Sequence, residues 1–303
     1  MASSMVELVN SCGANIMRTI SPTARAPRTA FVLSGGASLG AMQVGMLRAL
    51  YERGITPDLL VGTSAGALNA AFVASRPQTV ATAEELAGVW RAVHRDDVFP
   101  IDARTLIGGL TNHRDHLVSD RGLRRLARRH MQVVRLEDAA IPLHLVAFDV
   151  LSGEEVRLSE GAALEALLAA TAIPGVLPPV PRGDRLLVDG GVVDNTPISH
   201  AVELGAERIY VLATADPLER GIPAPPRGAL DAALHAFTVL VGARLEVDLA
   251  RYSTEAELIV LPAVNRHHVQ PTDFDHASRL IGEALADARM ALDAAERVEA
   301  VAA

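Results

Sequence analysis

Ser64 stands inside Gly62-Thr63-Ser64-Ala65-Gly66, directly after the apolar run Asp58–Val61 and directly before the helical pattern Ala65–Ser75. A hydroxyl on such a strand-to-helix turn is pushed out at the carboxyl end of the strand. The flanking glycines let the backbone take strained angles and pass close to its neighbours. The new helix aims its first N–H groups at the same spot, where an anion would form. That combination suits nucleophilic attack on an acyl carbon.

Two further groups carry compatible chemistry. Ser34-Gly35-Gly36-Ala37-Ser38-Leu39-Gly40 is a second glycine-rich strand-to-helix turn, whose backbone N–H groups suit a developing oxyanion. A nucleotide-phosphate loop fits it poorly, because the glycines miss G-x-G-x-x-G and no Lys-Ser/Thr follows. Asp189-Gly190-Gly191 follows the apolar Leu186-Leu187-Val188 and sets a carboxylate at a strand end with room beside it. Aspartate is a weak base at its reference pKa of ~3.9, so burial must raise it before it can take a serine proton and return it to a leaving alcohol.

The elements that must position these groups read as alternating strands and helices. Strands are predicted at Thr29–Leu33, Asp58–Val61, Leu186–Val188, Arg208–Ala213 and Leu258–Leu261, with a hairpin from Leu143–Val150 to Glu155–Leu158. Helices are predicted at Ala41–Arg53, Ala65–Ser75, within 83–135, and at 160–169, 197–204, 229–251 and 273–297. The order implies an α/β protein, a three-layer α/β/α arrangement around a mainly parallel sheet, with the site at the carboxyl ends of parallel strands. Residues 1–27 read as a flexible or loosely docked leader, 28–297 as one domain and 298–303 as a tail. Pro217 to Pro226 reads as a surface loop.

Composition narrows the partners. Hydrophobic residues make up 50% of the chain but aromatics only 3%, so Ala, Leu and Val must fill the core. A net charge of −8 argues against nucleic acid. A lone cysteine, Cys12, excludes an intramolecular disulfide and a cysteine zinc cluster and fits a cytoplasmic protein. No signal peptide and no membrane-spanning run is legible, which leaves room for peripheral membrane contact.

Glycine-rich turn, G-x-S-x-G and D-G-G, in this order, resemble the patatin-like phospholipases. Ala172-Ile173-Pro174-Gly175-Val176-Leu177-Pro178-Pro179 and the run DGGVVDNTPI at 189–198 extend the likeness. The resemblance implies a Ser-Asp dyad. Ser64 is then the nucleophile, Asp189 the proton acceptor, and Gly35, Gly36, Ala37 and Ser38 the oxyanion loop. Gly62, Thr63, Ala65 and Gly66 form the nucleophile elbow, and Gly190 and Gly191 flank the base. It also implies a lipid or acyl-ester substrate and no metal or cofactor. The sequence departs from the family pattern at Ala37, where a third glycine is usual, and at Leu39, where a basic residue is usual; Arg48 lies a helical face away.

Other readings compete for the same residues. A triad would need His267, His268 or His276 downstream of Asp189. The group His267, His268, Asp273, Asp275 and His276, like His113-Arg114-Asp115-His116, reads as solvated loop rather than a metal site. Arg121, Arg124, Arg125, Arg128 and Arg129 read as a solvated helix face, with anionic headgroups as the competing partner. Leu230, Leu234, Phe237, Val241 and Leu245 read as core packing that could in part line an acyl groove. An acyltransferase or thioesterase would use the same nucleophile, and a lipid-binding protein without catalysis would keep the same fold.

Overall fold

A computed structural model describes residues 9–11, 14–16, 27–215, 229–263 and 268–302. Cys12, the Pro217–Pro226 stretch and His267 lie outside the described residues. In chain order the strands are β1 (Val9–Ser11), β2 (Ala14–Ile16), β3 (Thr29–Leu33), β4 (Leu59–Thr63), β5 (Leu143–Asp149), β6 (Glu154–Leu158), β7 (Val180–Arg182), β8 (Arg185–Asp189), β9 (Arg208–Leu212) and β10 (Glu257–Leu261). The helices are α1 (Ala41–Glu52), α2 (Ala65–Ala74), α3 (Val80–Ala92), α4 (Arg95–Val98), α5 (Ala103–Leu110), α6 (Arg121–His130), α7 (Ala163–Ala170), α8 (Ile198–Glu203), α9 (Ala229–Tyr252) and α10 (Ala277–Ala302).

The main sheet runs β10-β9-β3-β4-β5-β8-β7, and β6 pairs with β5 off that path. From β10 to β5 every pairing is parallel. The strands TAFVL and LLVGT are buried almost throughout, as strands covered on both faces must be. On one side α1 packs against α10 and α3, while α2 crosses β3, β4 and β5. Elsewhere α8, backed by α9, lies on β3, β4 and β9. The three-layer α/β/α reading therefore holds.

Three details depart from the reading of the sequence. β7 had no strand signal, and β7 and β8 are antiparallel to their partners, whereas the antiparallel β5–β6 pair is the hairpin expected. Within the expected leader, β1 and β2 pair as a short antiparallel hairpin. The expected tail is helical, since α10 continues to Ala302.

The edge of β5 holds the topological fact that matters most. Leu145 pairs with Gly62 of β4 and Leu158 of β6, and Ala147 pairs with Val156 of β6 and Asp189 of β8. A strand has two edges, so β4 and β8 share the one that β6 leaves free. β4 ends its pairing at Thr63 opposite Val146; β8, running the other way, ends at Asp189 opposite Ala147. The two strands meet head-on, and the residues just past their ends converge.

Candidate active site

Ser64 is the first residue past β4, at φ 54° and ψ −122°. A non-glycine residue there is strained, at a cost on the order of 1–3 kcal/mol, and persists only where its surroundings fix it. They do. A Cβ on Gly66 would overlap the Leu33 carbonyl oxygen, and one on Gly62 would stand 2.7 Å from the Gly66 carbonyl oxygen. Strand, turn and α2 thus approach so closely that only glycine fits on both sides of the serine. The Ser64 N–H donates to the Ala170 carbonyl at 3.0 Å, which ties the turn to the end of α7.

Beside it, the turn after β3 is held by a buried polar network. Gln43 Nε2 donates to the carbonyls of Ser34 (2.8 Å) and Leu212 (2.9 Å). Asn69 Nδ2 donates to Gln43 Oε1 (2.8 Å) and the Gly40 carbonyl (2.9 Å), and Trp90 Nε1 donates to Asn69 Oδ1 (2.8 Å). Networks of this kind rigidify when every member is satisfied. On the other flank the hydroxyl of Thr214 and the amide of Asn195 both donate to the Gly35 carbonyl. Of the four amides in the predicted oxyanion loop, Gly35 donates to the Asn195 carbonyl (3.0 Å) and Ser38 to the Pro271 carbonyl (3.0 Å). Among the described residues the amides of Gly36 and Ala37 have no acceptor. Of the four expected donors, two are thus already engaged and two are free. A Cβ on Gly36 would overlap the Thr214 hydroxyl, whereas Ala37 keeps its methyl at φ 48°.

Asp189 is 4% exposed, and its side chain accepts from the Gly191 N–H at 2.8 Å. Its own N–H donates to the Ala172 carbonyl at 2.9 Å. Ser64 and Asp189 line one cavity, with the hydroxyl near enough to the carboxylate to act on its pKa. Burial raises the carboxyl pKa from 3.8 to about 6, against the opposing pull of the Ser64 and Gly191 hydrogen bonds. Asp149 fixes the far end of β8, its carboxylate accepting from the N–H groups of Leu151 and Leu186, both at 3.1 Å.

Two cavities open at Ser64. The narrow one, about 80 Å³, is walled by Phe72, Leu86, Trp90, Phe99, Leu126 and Phe274, and its lining includes His130 and Met131. The wider one, about 320 Å³, is lined by Gly36, Leu39, Asp189, Asn195, Thr214 and Phe237. The wider one reaches the range of small-molecule sites, while the narrow one is a slot. Burial, with Arg129 and Arg76 nearby, lowers the pKa of His130, so the narrow arm ends in a neutral imidazole at pH 7.

A family model described as Patatin-like phospholipase matches residues 31–202, more than half of the chain. The chain belongs to the patatin-like phospholipase family. It is 31% identical over 189 residues to the lysophospholipase NTE1 of Mycosarcoma maydis, covering 60% of this chain and 9% of that protein. It is 28% identical over 192 residues to patatin-like phospholipase domain-containing protein 7 of Rattus norvegicus, covering 60% and 13%. An uncharacterized NTE family protein of Mycobacterium tuberculosis is 31% identical over 168 residues, 55% of this chain and 27% of that one. The matched stretch thus spans about a tenth of the first two relatives. Among solved structures, VipD from Legionella pneumophila is similar with a TM-score of 0.47 at 15% identity, over 97% of this chain and 71% of that one.

Set against the patatin-like pattern, the structure brings together Ser64, Asp189, Gly35, Gly36 and Ala37 in one cavity, while Ser38 does not line it. Leu39, at the usual basic position, forms part of that cavity's apolar wall. Arg48 is paired with Glu52 and Glu84 away from it. Neither His268 nor His276 lines the cavity at Ser64 and Asp189; His276 sits 3.4 Å from Asp273. His113 and His116 bond locally, to Thr111 and Asp115. In α9, Leu245 is buried as expected, while Phe237 and Val241 line the wider cavity; the side chains of Leu230 and Leu234 lie outside the described residues. No helix among the described residues is long and apolar enough to cross a membrane.

Sequence reasoning missed Gln43, Asn69, Asn195 and Thr214. A signal existed for two of them: Gln43 and Asn69 each interrupt an apolar stretch of helix (AMQVGML and AGALNAA), and a polar residue there must be satisfied internally.

Proposed function

We propose that this protein hydrolyses acyl esters of lipids through Ser64 and Asp189 without an intervening imidazole. The observation that supports the reading is a strained serine sharing one cavity with a buried carboxylate whose pKa is raised to about 6. At pH 7 that carboxylate is ionised in most molecules yet far more basic than an ordinary aspartate, which suits a general base.

As Ser64 Oγ attacks the ester carbon, its proton passes to Asp189, and the carbonyl oxygen becomes an oxyanion facing the free amides of Gly36 and Ala37. Collapse breaks the ester bond, and Asp189 returns the proton to the leaving alkoxide. Water, deprotonated by Asp189, then attacks the acyl-enzyme and releases a fatty acid and free Ser64. Each oxyanion donor is worth ~3 kcal/mol in reactions of this type. The narrow apolar arm suits the acyl chain and the wider, more polar cavity the leaving group. The catalytic unit is residues 28–297.

The test offers lysophospholipid, diacyl phospholipid and acyl-thioester side by side and follows fatty acid by mass spectrometry. Release from the oxygen esters is expected, and its loss in Ser64→Ala. Undiminished release by Ser64→Ala would overturn the assignment.

A further inference from the structure

α6 reads RGLRRLARRH: five arginines and no acid, in a chain of net charge −8. At about 100° per residue the five arginines fall on one arc of about 140°, with Leu123, Leu126, Ala127 and His130 opposite. The two faces have different surroundings. Leu123, Leu126, Ala127 and His130 line the narrow arm that opens at Ser64, while Arg121, Arg125, Arg128 and Arg129 are exposed.

Most of this charge is unneutralised. Arg124 pairs with Asp120 at 2.9 Å and approaches Glu165 at 4.0 Å. Among the described residues the other four have no carboxylate partner. Exposed aliphatic side chains bracket the stripe. Ile101 is 54% exposed and follows Pro100, which packs beside Gly122; Val134 is 81% exposed, four residues beyond the helix. Guanidinium groups over an apolar wall, with aliphatic side chains free at either end, match the make-up of a helix that lies at a lipid interface.

We propose that α6 docks the protein on an anionic lipid bilayer, its arginines on the headgroup phosphates and Ile101 and Val134 among the upper acyl segments. The helix then separates the bilayer from the narrow arm, so an acyl chain drawn from the membrane enters beside it. The purpose of docking rests on the acyl-ester reading; the binding itself does not.

The test uses full-length Ser64→Ala protein, in which hydrolysis plays no part, and measures co-sedimentation with phosphatidylcholine vesicles with and without phosphatidylserine. Binding only to the anionic vesicles, falling with added salt, is expected. Arg121→Gln/Arg125→Gln/Arg128→Gln/Arg129→Gln should weaken it on the order of a thousandfold. The same four changes in a Ser64 background should leave hydrolysis of a soluble short-chain ester within about twofold, which also reports that the variant folds. A charge-matched control, Arg91→Gln/Arg185→Gln/Arg251→Gln/Arg279→Gln, should bind like the parent. Equal loss in the control, undiminished binding by the α6 variant, or equal binding to neutral vesicles would overturn the proposal. So would indifference to vesicles combined with retention of an RNA oligonucleotide through the same arginines. Should the fourfold variant fail to fold, Arg125→Gln/Arg128→Gln and the salt titration of the unaltered protein decide the matter.

Discussion

The turns after β3 and β4 lie side by side at the ends of parallel strands, and each holds one non-glycine residue in the left-handed region. At the second turn that residue is Ser64, whose side chain does the proposed chemistry. At the first it is Ala37, which contributes only an amide. On the proposed reading the strain at Ser64 belongs to the function, while the strain at Ala37 is removable. The glycines divide differently: Gly36 and Gly66 are each fixed by a neighbour that leaves no room for a Cβ.

Four substitutions sharpen that contrast. Ser64→Ala keeps the turn and removes the nucleophile, so turnover should fall on the order of 10⁵-fold or more in steady-state assays. Asp189→Asn preserves the acceptor for the Gly191 amide and loses the base, and should cost about 10³-fold in kcat. It should also stabilise the fold at neutral pH. The folded pKa of about 6 lies above the unfolded 3.8, so the wild type loses stability as pH rises through that window. Above it the penalty is complete, on the order of 2–3 kcal/mol for a fully buried group, and the asparagine escapes it. Denaturant melts at pH 4 and pH 7 would read this as a gap between variants that opens with pH.

Smaller effects come next. Gly66→Ala forces a methyl into the Leu33 carbonyl and should lower stability by about 3 kcal/mol or more, with activity falling alongside it. Ala37→Gly should do the opposite, raising stability by about 1 kcal/mol while activity changes only slightly. A loss of stability there would break the claim that the two turns carry strain for different reasons.

Much of this fold was legible in the sequence. β3, β9 and β10 are apolar runs buried on both faces, and such runs declare themselves without periodicity. The hairpin β5–β6 followed from its turn residues. Direction was not legible: Leu186-Leu187-Val188 announces a strand but not that β8 runs against β5, and only that reversal drives Asp189 into the end of β4. Ser64 and Asp189 were readable as candidates because glycines mark the close approaches around them. Gln43 and Asn69 carried a signal, a polar residue among apolar helix neighbours, but not the identity of their partners; Thr214 and Asn195 carried none, because their hydrogen bonds to the Gly35 carbonyl follow no spacing rule. α6 showed its amphipathic pattern plainly, but that its inner face walls a cavity at Ser64 needed coordinates.

The central claim is that a buried carboxylate activates Ser64 directly. It is tested by the rate at which a fluorophosphonate labels Ser64 across pH, in wild type and in Asp189→Asn. The expected profile is flat above about pH 6, falls tenfold per unit below it, and is replaced in Asp189→Asn by a slow rate lacking that step. Wild-type rates in Asp189→Asn, or a step near pH 7 that vanishes on replacing His268 or His276, would contradict the account.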